Sequence, residues 1–500
     1  MQYQSTRDNS IKVSAAMAIK TGLSAEGGLF VPESFPLVPI EEIASLAGMT
    51  YHERAYFVLS KFLTDFTEDE LNKCIQNAYT KEKFGTNAIA PVYRLNSETY
   101  ILELWHGPTC AFKDMALQIL PPLLTTSMKK TDENDEIVIL VATSGDTGKA
   151  ALEGFKDVDG TRIIVFYPQN GVSEIQKLQM VTQEGNNVSV AAVKGNFDDA
   201  QSGVKKIFTD VAYKELLKKN QFKLSSANSI NWGRLVPQIV YYFSAYADLV
   251  ANSEIKVGDK INVVVPTGNF GNILAAYYAK KMGLPVAKFI CASNENNVLT
   301  EFIRTGVYDK NREFHTTISP SMDILISSNL ERFLYDLTDN NDKVVSEWMN
   351  QLNTTGRYEV SQEVKEKLTS LFWGDCSDDA ETMASIKKCA DEYQYVIDTH
   401  TAVAKSVYDK YVSQTGDKTK TVIASTASPF KFNQSVLIAL KDYNSVVNKN
   451  EFELLDELSS ISNMEIPKSL AELKDKSAAF DLVCAKDDMI KVVSDFLMVN

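Results

Sequence analysis

Lys113 is the residue of this sequence that is best suited to chemistry. It lies between Phe112 and Met115 and follows the rigid turn Gly107-Pro108. Surface lysines usually lie in polar segments that keep the ammonium group solvated, whereas a partly buried lysine loses its proton more readily and becomes nucleophilic. A neutral lysine amine can form a Schiff base with an aldehyde. Because Lys113 is one of 51 basic residues, this hypothesis depends on the segments that surround it in the fold.

A polar segment with two glycines, Thr143-Ser-Gly-Asp-Thr-Gly148, follows an apolar run. Its hydroxyls and backbone N–H groups are expected at the N-terminus of a helix, which is a ready anion-binding site. The same residues are also typical of an ordinary helix cap. The segment by itself leaves these two interpretations equally open.

A second candidate loop is Pro266-Thr-Gly-Asn-Phe-Gly-Asn272. Gly268 and Gly271 allow the backbone to approach a ligand closely, and the N–H groups from Gly268 to Asn272 can converge on one phosphate. The loop has neither the GxGxxG spacing of dinucleotide-binding loops nor the GK[ST] ending of the Walker loop. It favours a phosphate-binding loop over a plain left-handed turn.

Two further segments are weaker candidates. In Ser425-Thr-Ala-Ser-Pro429 a hydroxyl could hydrogen-bond a ring nitrogen without protonating it, although by itself the segment is more typical of a strand that stops at a proline turn. Asn228-Ser-Ile-Asn-Trp-Gly-Arg234 places amides, a hydroxyl and an arginine before an apolar helix, which suits a substrate phosphate or carboxylate. His106 and His400 are more typical of structural residues, and no constellation of metal ligands stands out.

Alternating strands and helices position these loops. The hydrophobic pattern predicts strands at 137–143, 162–167, 188–193, 260–265, 287–292 and 421–425, and helices at 147–155, 173–184, from about 197 and at 270–282. Such alternation predicts parallel sheets covered by helices on both faces, with ligands bound at the carboxyl ends of the strands.

The predicted fold is therefore α/β, with two parallel-sheet α/β domains and an N-terminal, mainly helical region. We expect the N-terminal region at 1–95 and the first α/β domain, with Lys113 and the 143–148 loop, at 96–232. The second α/β domain, with the 266–272 loop and a mainly helical elaboration between about 300 and 400, is expected at 233–500. A chain of 500 residues is long enough for two or three such cores.

Composition restricts the partners and the compartment. The net charge of -14 argues against a nucleic-acid partner, because phosphate backbones require a basic footprint. No uncharged apolar run of ~18 residues is present to span a membrane. The six cysteines show no CxxC spacing, which fits reduced thiols, and the first eight residues have no apolar core like that of a signal peptide. A cytoplasmic location is expected.

Taken together, these segments resemble the threonine synthase family, a fold-type II pyridoxal-phosphate family related to the tryptophan synthase β chain. The block Gly22 to Pro36 is similar to the N-terminal signature of that family, and His106-Gly-Pro-Thr-Cys-Ala-Phe-Lys-Asp114 to its lysine motif. The 143–148 and 268–272 segments match its SGDTG and cofactor-phosphate loops. The chain departs from the family at Cys110, often Leu there, and at Ser428, often His, and neither change removes a reacting group.

The resemblance implies the roles of the site residues. Lys113 takes the Schiff-base and catalytic role with pyridoxal 5'-phosphate as cofactor. The other implied cofactor-binding residues are Phe112, Gly268, Asn269, Phe270, Gly271, Asn272 and Thr426. Thr143, Ser144, Gly145, Asp146 and Thr147 are expected to bind the substrate carboxylate. Ser229, Asn231 and Arg234 are candidates for the substrate phosphate.

The implied activity is the conversion of O-phospho-L-homoserine and water to L-threonine and phosphate, in a monomer or homodimer. Two rival classes stay open. One is a sister enzyme such as a threonine or serine dehydratase or a β-replacing synthase, and the other is a catalytically silent homologue with a binding role. A nucleotide-binding protein of Rossmann type is disfavoured, because the chain lacks the required glycine fingerprint.

Overall fold

The computed structural model describes residues 1–143, 145–170 and 172–499. Sixteen strands lie in this described part of the chain. They are β1 Tyr3–Ser5, β2 Lys12–Val13, β3 Phe30–Pro32, β4 Val92–Arg94, β5 Thr99–Glu103, β6 Glu136–Ala142, β7 Thr161–Pro168, β8 Val188–Lys194, β9 Phe222–Ser225, β10 Ile261–Pro266, β11 Val286–Ser293, β12 Val307–Asp309, β13 Arg357–Glu359, β14 Phe372–Cys376, β15 Thr421–Ser425 and β16 Val483–Ala485.

The same part of the chain contains twenty-three α-helices. They are α1 Ala15–Thr21, α2 Ile40–Ser45, α3 Tyr51–Phe62, α4 Glu68–Ala78, α5 Lys81–Phe84, α6 Asp114–Leu117, α7 Leu120–Lys130, α8 Asp146–Phe155, α9 Glu174–Val181, α10 Phe197–Thr209, α11 Val211–Lys219, α12 Trp232–Ala251, α13 Gly271–Lys281, α14 Val298–Thr305, α15 Leu330–Leu337, α16 Asp342–Thr354, α17 Gln362–Leu371, α18 Asp379–Tyr393, α19 Thr399–Thr415, α20 Asn433–Leu440, α21 Glu451–Ser462, α22 Lys468–Ala471 and α23 Met489–Leu497. Two short 3-10 helices, Pro320–Met322 and Pro429–Phe432, also border the site.

Two sheets form the framework of the molecule. The larger has six strands in the order β14-β11-β10-β15-β5-β4, and the smaller has five in the order β16-β8-β7-β6-β9. Every neighbouring pair in both sheets is parallel except β4 with β5. The central strands are continuous apolar runs because helices cover both faces of each sheet. The predicted α/β class with parallel sheets is confirmed.

The six strands that the hydrophobic pattern predicts are all present, and their ends agree within one residue for all six. Five further strands of the two sheets, β4, β5, β9, β14 and β16, were not among those six. β14 lies in the stretch between 300 and 400 that was expected to be mainly helical, and it forms one edge of the larger sheet. Its sequence, Phe372-Trp-Gly-Asp-Cys376, is short and interrupted by glycine, so it gives no clear apolar period.

The two sheets do not follow the order of the chain. β5, near the start of the predicted first domain, pairs with β15 in the larger sheet. At the other end, β16 pairs with β8 in the smaller sheet, and α23 packs against the same sheet. The C-terminal segment therefore returns to the unit formed by the middle of the chain. The predicted domain boundaries after residues 95 and 232 therefore stay a prediction.

The N-terminal region is mainly helical, as expected, with a small antiparallel sheet of β1, β2 and β3. It packs against α12, a long helix whose Trp232, Tyr241 and Tyr242 side chains are almost fully buried. Within residues 1–143, 145–170 and 172–499, no helix combines the length and the apolar character that crossing a membrane requires.

Candidate active site

Lys113 lies where the two sheets meet, at the N-cap position of α6. Its side chain is 12% exposed. The Nζ atom is 3.2 Å from Oγ of Ser321 and 3.4 Å from Oδ2 of Asp146, and it lies 5.4 Å from the centre of the Phe112 ring. The sequence-based expectation of a partly buried lysine with an aromatic neighbour agrees with this environment.

Asp146 is the centre of the polar contacts around Lys113. Its Oδ1 atom accepts from Nε2 of Gln176 at 3.0 Å and is 2.6 Å from Nζ of Lys431. Its Oδ2 atom accepts from the hydroxyl of Ser321 at 3.1 Å. Burial by itself would raise the pKa of Asp146, but Lys431 and Lys113 together hold that pKa well below its ordinary value. The carboxylate is therefore ionised and fully hydrogen-bonded.

The electrostatic surroundings favour a neutral Lys113. Burial lowers the pKa of Lys113, and the nearby cations Lys431 and Arg234 lower it further, whereas Asp146 acts in the opposite direction. The net shift is downward, so the free amine is populated at lower pH than in a solvated lysine. Such an amine can act as a nucleophile or as a base.

A hydrogen bond to His400 holds the backbone of Ser321 in place. The backbone N–H of Ser321 donates to Nε2 of His400 at 3.1 Å, and Nδ1 of His400 is 2.9 Å from Oδ2 of Asp398. Because a backbone N–H can only donate, Nε2 is the acceptor and the proton of the neutral ring is on Nδ1, facing Asp398. This chain of contacts holds the Pro320–Met322 turn against Lys113.

The lysine segment is joined to the end of β15 by backbone contacts. Ala111 and Ala427 form an antiparallel bridge, and the N–H of Phe112 donates to the carbonyl of Thr426 at 2.8 Å. Thr426 therefore lies beside Phe112 and Lys113, as expected if all three contact one ligand. Thr426 is buried, with 6% of its surface exposed.

The 266–272 loop forms a left-handed turn at the start of α13. Phe270 has a φ of 60° and packs its ring against Phe333 and Phe372, which holds this unusual backbone conformation in place. At Gly268 a Cβ atom would lie 2.7 Å from the carbonyl oxygen of Ser321, so only glycine allows the loop to approach the Lys113 neighbourhood this closely. The loop and the lysine therefore both lie against Ser321.

Two buried donors in this region have no partner among the described residues: Nδ2 of Asn272 and Nε of Arg234. The Oδ1 atom of Asn272 accepts from the hydroxyl of Tyr242, which orients the amide. Unpaired buried donors cost free energy unless a ligand satisfies them. A phosphate at the N-terminus of α13 is an acceptor of the required type, since the first N–H groups of a helix are also unpaired.

The three candidate residues for a substrate-phosphate site differ in which of their hydrogen-bonding groups are already used within the protein. Ser229 is beside the 266–272 loop, and both its carbonyl and its Oγ accept from Nδ2 of Asn329 at 3.2 Å. Arg234 is 2% exposed and donates from Nη1 to the carbonyl of Ala227 at 2.6 Å. Asn231 caps α12 and donates to the carbonyl of Ile19 at 2.9 Å, so its amide is used within the protein. Its proposed contact with substrate stays a prediction.

In the 143–148 loop, the Thr143 hydroxyl accepts from the N–H groups of Gly145 at 3.0 Å and Gly148 at 2.9 Å, which shapes the loop. Gly145 has a φ of 142° and lies against Gln176, where a Cβ would be 2.5 Å from the amide group. Thr147 is half-buried at the start of α8. Ser144, predicted as a ligand of the substrate carboxylate, lies outside the described residues.

Three family models match the chain along most of its length. Residues 2–79 match the threonine synthase N terminus, residues 87–368 match the pyridoxal-phosphate dependent enzymes, and residues 401–493 match the threonine synthase C-terminal region. The threonine synthase of Schizosaccharomyces pombe is 36% identical over 513 aligned positions that cover 95% of this chain and 98% of that protein. The chain belongs to the threonine synthase family. Its cofactor is therefore pyridoxal phosphate.

A solved structure from the family has the same architecture. The crystal structure of pyridoxal-phosphate-bound threonine synthase from Brucella melitensis has a TM-score of 0.87 with this chain, at 33% identity, and the match covers 99% of this chain and 98% of that one. The human threonine synthase-like 1 is 43% identical over 443 residues, or 86% of this chain. The chain spans only 59–65% of the length of the threonine synthase-like 1 relatives that it matches.

Two residues that contact Asp146 were not among the candidates from the sequence. Lys431 lies between Phe430 and Phe432, the same kind of apolar flank that singled out Lys113, so the signal was present. Ser321 follows Pro320 in a stretch without regular periodicity and gives no comparable signal. Its position depends on Asn294 and Asp323, whose hydrogen-bonded cluster anchors the 315–323 segment.

Proposed function

We propose that this chain converts O-phospho-L-homoserine and water to L-threonine and phosphate. The observation that carries the proposal is that Lys113 and the 266–272 loop both lie against Ser321, in a chain whose two ends match models specific to threonine synthase. Bound pyridoxal phosphate supplies an electron sink, which a γ-elimination requires. The protein supplies the base, the anion sites and the geometry.

The cofactor fits the residues that are present. We assign its phosphate to the loop Gly268, Asn269, Phe270, Gly271 and Asn272, because the free N–H groups at the start of α13 and the unpaired Nδ2 of Asn272 are donors suited to a phosphate. Lys113 would hold the cofactor aldehyde, with Phe112 beside it. Thr426 would offer a hydroxyl, not an acid, to the ring nitrogen, which moderates the electron sink.

Lys113 is also the proposed base. Once released by the substrate amine, its Nζ would remove the proton from Cα of the substrate and then carry protons to and from the neighbouring carbon atoms. The downward shift of its pKa supports this role, because a base must be unprotonated when substrate binds. The hydroxyl of Ser321, 3.2 Å from Nζ, orients the amine.

The substrate carboxylate is assigned to the 143–148 loop. Asp146 is an ionised side chain paired with Lys431, so its carboxylate would repel that of the substrate. We therefore propose that the loop binds through backbone N–H groups and the Thr147 hydroxyl, with Ser144 as a further candidate. Thr143 and Gly145 maintain the shape of the loop.

The substrate phosphate is assigned to Arg234 and Ser229. The pKa of Arg234 is lowered to about 10 by burial, so the guanidinium is still charged at neutral pH. Its Nε has no partner among the described residues, which leaves a charged donor available for an anion. Ser229 is linked to the 266–272 loop by Asn329, whose Nδ2 donates both to Oγ of Ser229 and to the carbonyl of Asn269.

A product assay tests the proposal. The purified chain with pyridoxal phosphate is incubated with O-phospho-L-homoserine, and phosphate and threonine are quantified. We expect equal amounts of the two products, and no keto acid when threonine is the substrate. Keto acid from threonine, without phosphate release from O-phosphohomoserine, would instead indicate a dehydratase. A folded protein that binds the cofactor and yields neither product would indicate a silent homologue.

We further propose a cytoplasmic location and a monomer or homodimer. Six cysteines are free, and five of them are buried, which suits a reducing compartment. Cys110 is one of these, and burial raises its pKa to about 11, so its thiol is inert beside the lysine. Fractionation and sedimentation would test the two proposals.

A further inference from the structure

Two buried lysines share the carboxylate of Asp146. Lys431 contacts Oδ1 at 2.6 Å, and Lys113 contacts Oδ2 at 3.4 Å. The Lys431 side chain is 0% exposed and also donates to the carbonyl of Thr109 at 3.0 Å. Lys431 is therefore closer to the carboxylate, more deeply buried and better hydrogen-bonded than Lys113.

One carboxylate cannot neutralise two ammonium groups. A second buried positive charge without its own counter-ion is expensive, so one of the two amines gives up its proton. The shorter ion pair and the backbone acceptor keep the charge on Lys431. Lys113, with a longer contact and a hydroxyl neighbour, is the group that becomes neutral.

The other charged groups around Lys113 do not restore the balance. Arg234 adds a further positive charge to the region and acts against protonation of Lys113. Asp114 follows Lys113 in the chain, but the cation that lowers its pKa is Lys431, so its carboxylate favours the charge on Lys431 and forms no ion pair with Lys113. His400 faces Ser321 through an unprotonated Nε2.

We propose that Lys431 is a positioning residue that occupies Asp146 as its ion-pair partner and so keeps Lys113 an uncharged amine, ready to react with the cofactor carbonyl. The inference rests on the proposed role of Lys113 in holding the cofactor. It assigns to Lys431 no contact with cofactor or substrate. Lys431 acts through Asp146, and Gln176 and Ser321 hold the carboxylate between the two lysines.

The test measures the proton affinity of Lys113 directly. The full-length chain, freed of cofactor, is labelled with trace acetic anhydride over a series of pH values, and acetylation of the Lys113 peptide is quantified by mass spectrometry. Of the two protonation states of a lysine, only the neutral amine reacts with acetic anhydride. In Lys431→Met, Asp146 has Lys113 as its remaining lysine partner. The pH at which Lys113 labelling is half-maximal, called the midpoint below, is therefore expected to rise by about one pH unit or more. The labelling rate near neutral pH then falls about tenfold.

Further variants separate charge from folding. Lys431→Arg keeps the positive charge and is expected to keep the midpoint near that of the unmodified chain. Asp146→Asn removes the counter-ion and is expected to lower the midpoint. The double variant Lys431→Met with Asp146→Asn removes both charges. Its labelling midpoint is expected to be lower than that of Lys431→Met alone. If Lys431→Met does not fold, the Asp146→Asn shift and the double variant decide the question.

A matched control is available on α19. Lys405 is also buried and lies 2.6 Å from Asp409, an ion pair on the same length scale as that of Lys431. Lys405→Met is expected to leave the Lys113 midpoint unchanged. An unchanged midpoint in folded Lys431→Met or in Asp146→Asn would overturn the proposal. Absence of phosphate release would contradict the proposed function alone, because labelling requires neither substrate nor turnover.

Discussion

The backbone N–H of Ser321 donates to Nε2 of His400 across 3.1 Å, and this contact fixes both residues. It places the Ser321 hydroxyl between Lys113 and Asp146, and it leaves the imidazole proton on Nδ1, where Asp398 accepts it at 2.9 Å. A histidine that the sequence suggests is structural therefore determines where a hydroxyl meets the lysine amine.

Replacing His400 by Leu is expected to reduce kcat for phosphate release by about tenfold or more, since an unpaired buried N–H costs ~1–3 kcal/mol and displaces Ser321. His400→Gln, whose side-chain oxygen can accept the N–H, is expected to recover part of the rate. His52→Leu, on α3, is the control. A His400→Leu rate equal to that of the control would contradict the role of the contact.

Lys113→Ala is expected to abolish turnover, because it removes both the group that holds the cofactor and the proposed base. Borohydride reduction of the holoenzyme followed by peptide mapping identifies the modified lysine. The competing residue is Lys431, which lies on the opposite side of Asp146. Modification of Lys431 instead of Lys113 would show that the assignment is wrong, and Lys405→Ala controls for loss of a buried lysine.

Arg234→Ala is expected to raise KM for O-phosphohomoserine more than it weakens cofactor binding, because its charged donor is assigned to the substrate phosphate. Steady-state kinetics and cofactor titration provide the two measurements. Arg54→Ala is a matched control: Arg54 is similarly buried but is paired with Asp248 at 2.6 Å. An equal effect of the two replacements on KM would remove Arg234 from the substrate site.

Asp114 gives a pH-dependent contribution to stability. Burial raises its pKa to about 6, although its hydrogen bonds from Thr109 and the charge of Lys431 act in the opposite direction. Because the folded protein binds this proton more tightly than the unfolded chain does, the contribution is present at low pH and is lost as pH rises through about 6.

The wild-type chain should therefore lose about 2 kcal/mol relative to Asp114→Asn between about pH 4 and about pH 7. An asparagine at this position can still accept from the N–H of Thr109 and donate to its hydroxyl. Chemical denaturation of both proteins at the two pH values gives the difference. Parallel changes in the two proteins would show that Asp114 does not titrate in this range.

Much of the fold could be predicted from local patterns. Strands such as β6 and β10 are continuous apolar runs between turn residues, and buried parallel strands require that composition. Short strands such as β14 and β16 escaped prediction, because three to five residues at a sheet edge carry little periodic signal. Their place in the sheets depends on distant partners.

The sequence by itself determined that Lys113 has an apolar flank, that glycine-containing loops follow strands, and that the family is that of threonine synthase. Those features are local, since they depend on neighbours in the chain. Only the tertiary structure placed Asp146 between Lys113 and Lys431, which are 318 positions apart in sequence number (431 minus 113). Charge balance around a buried carboxylate depends on its distances to the charged groups around it, and the packing of distant segments against one another sets those distances.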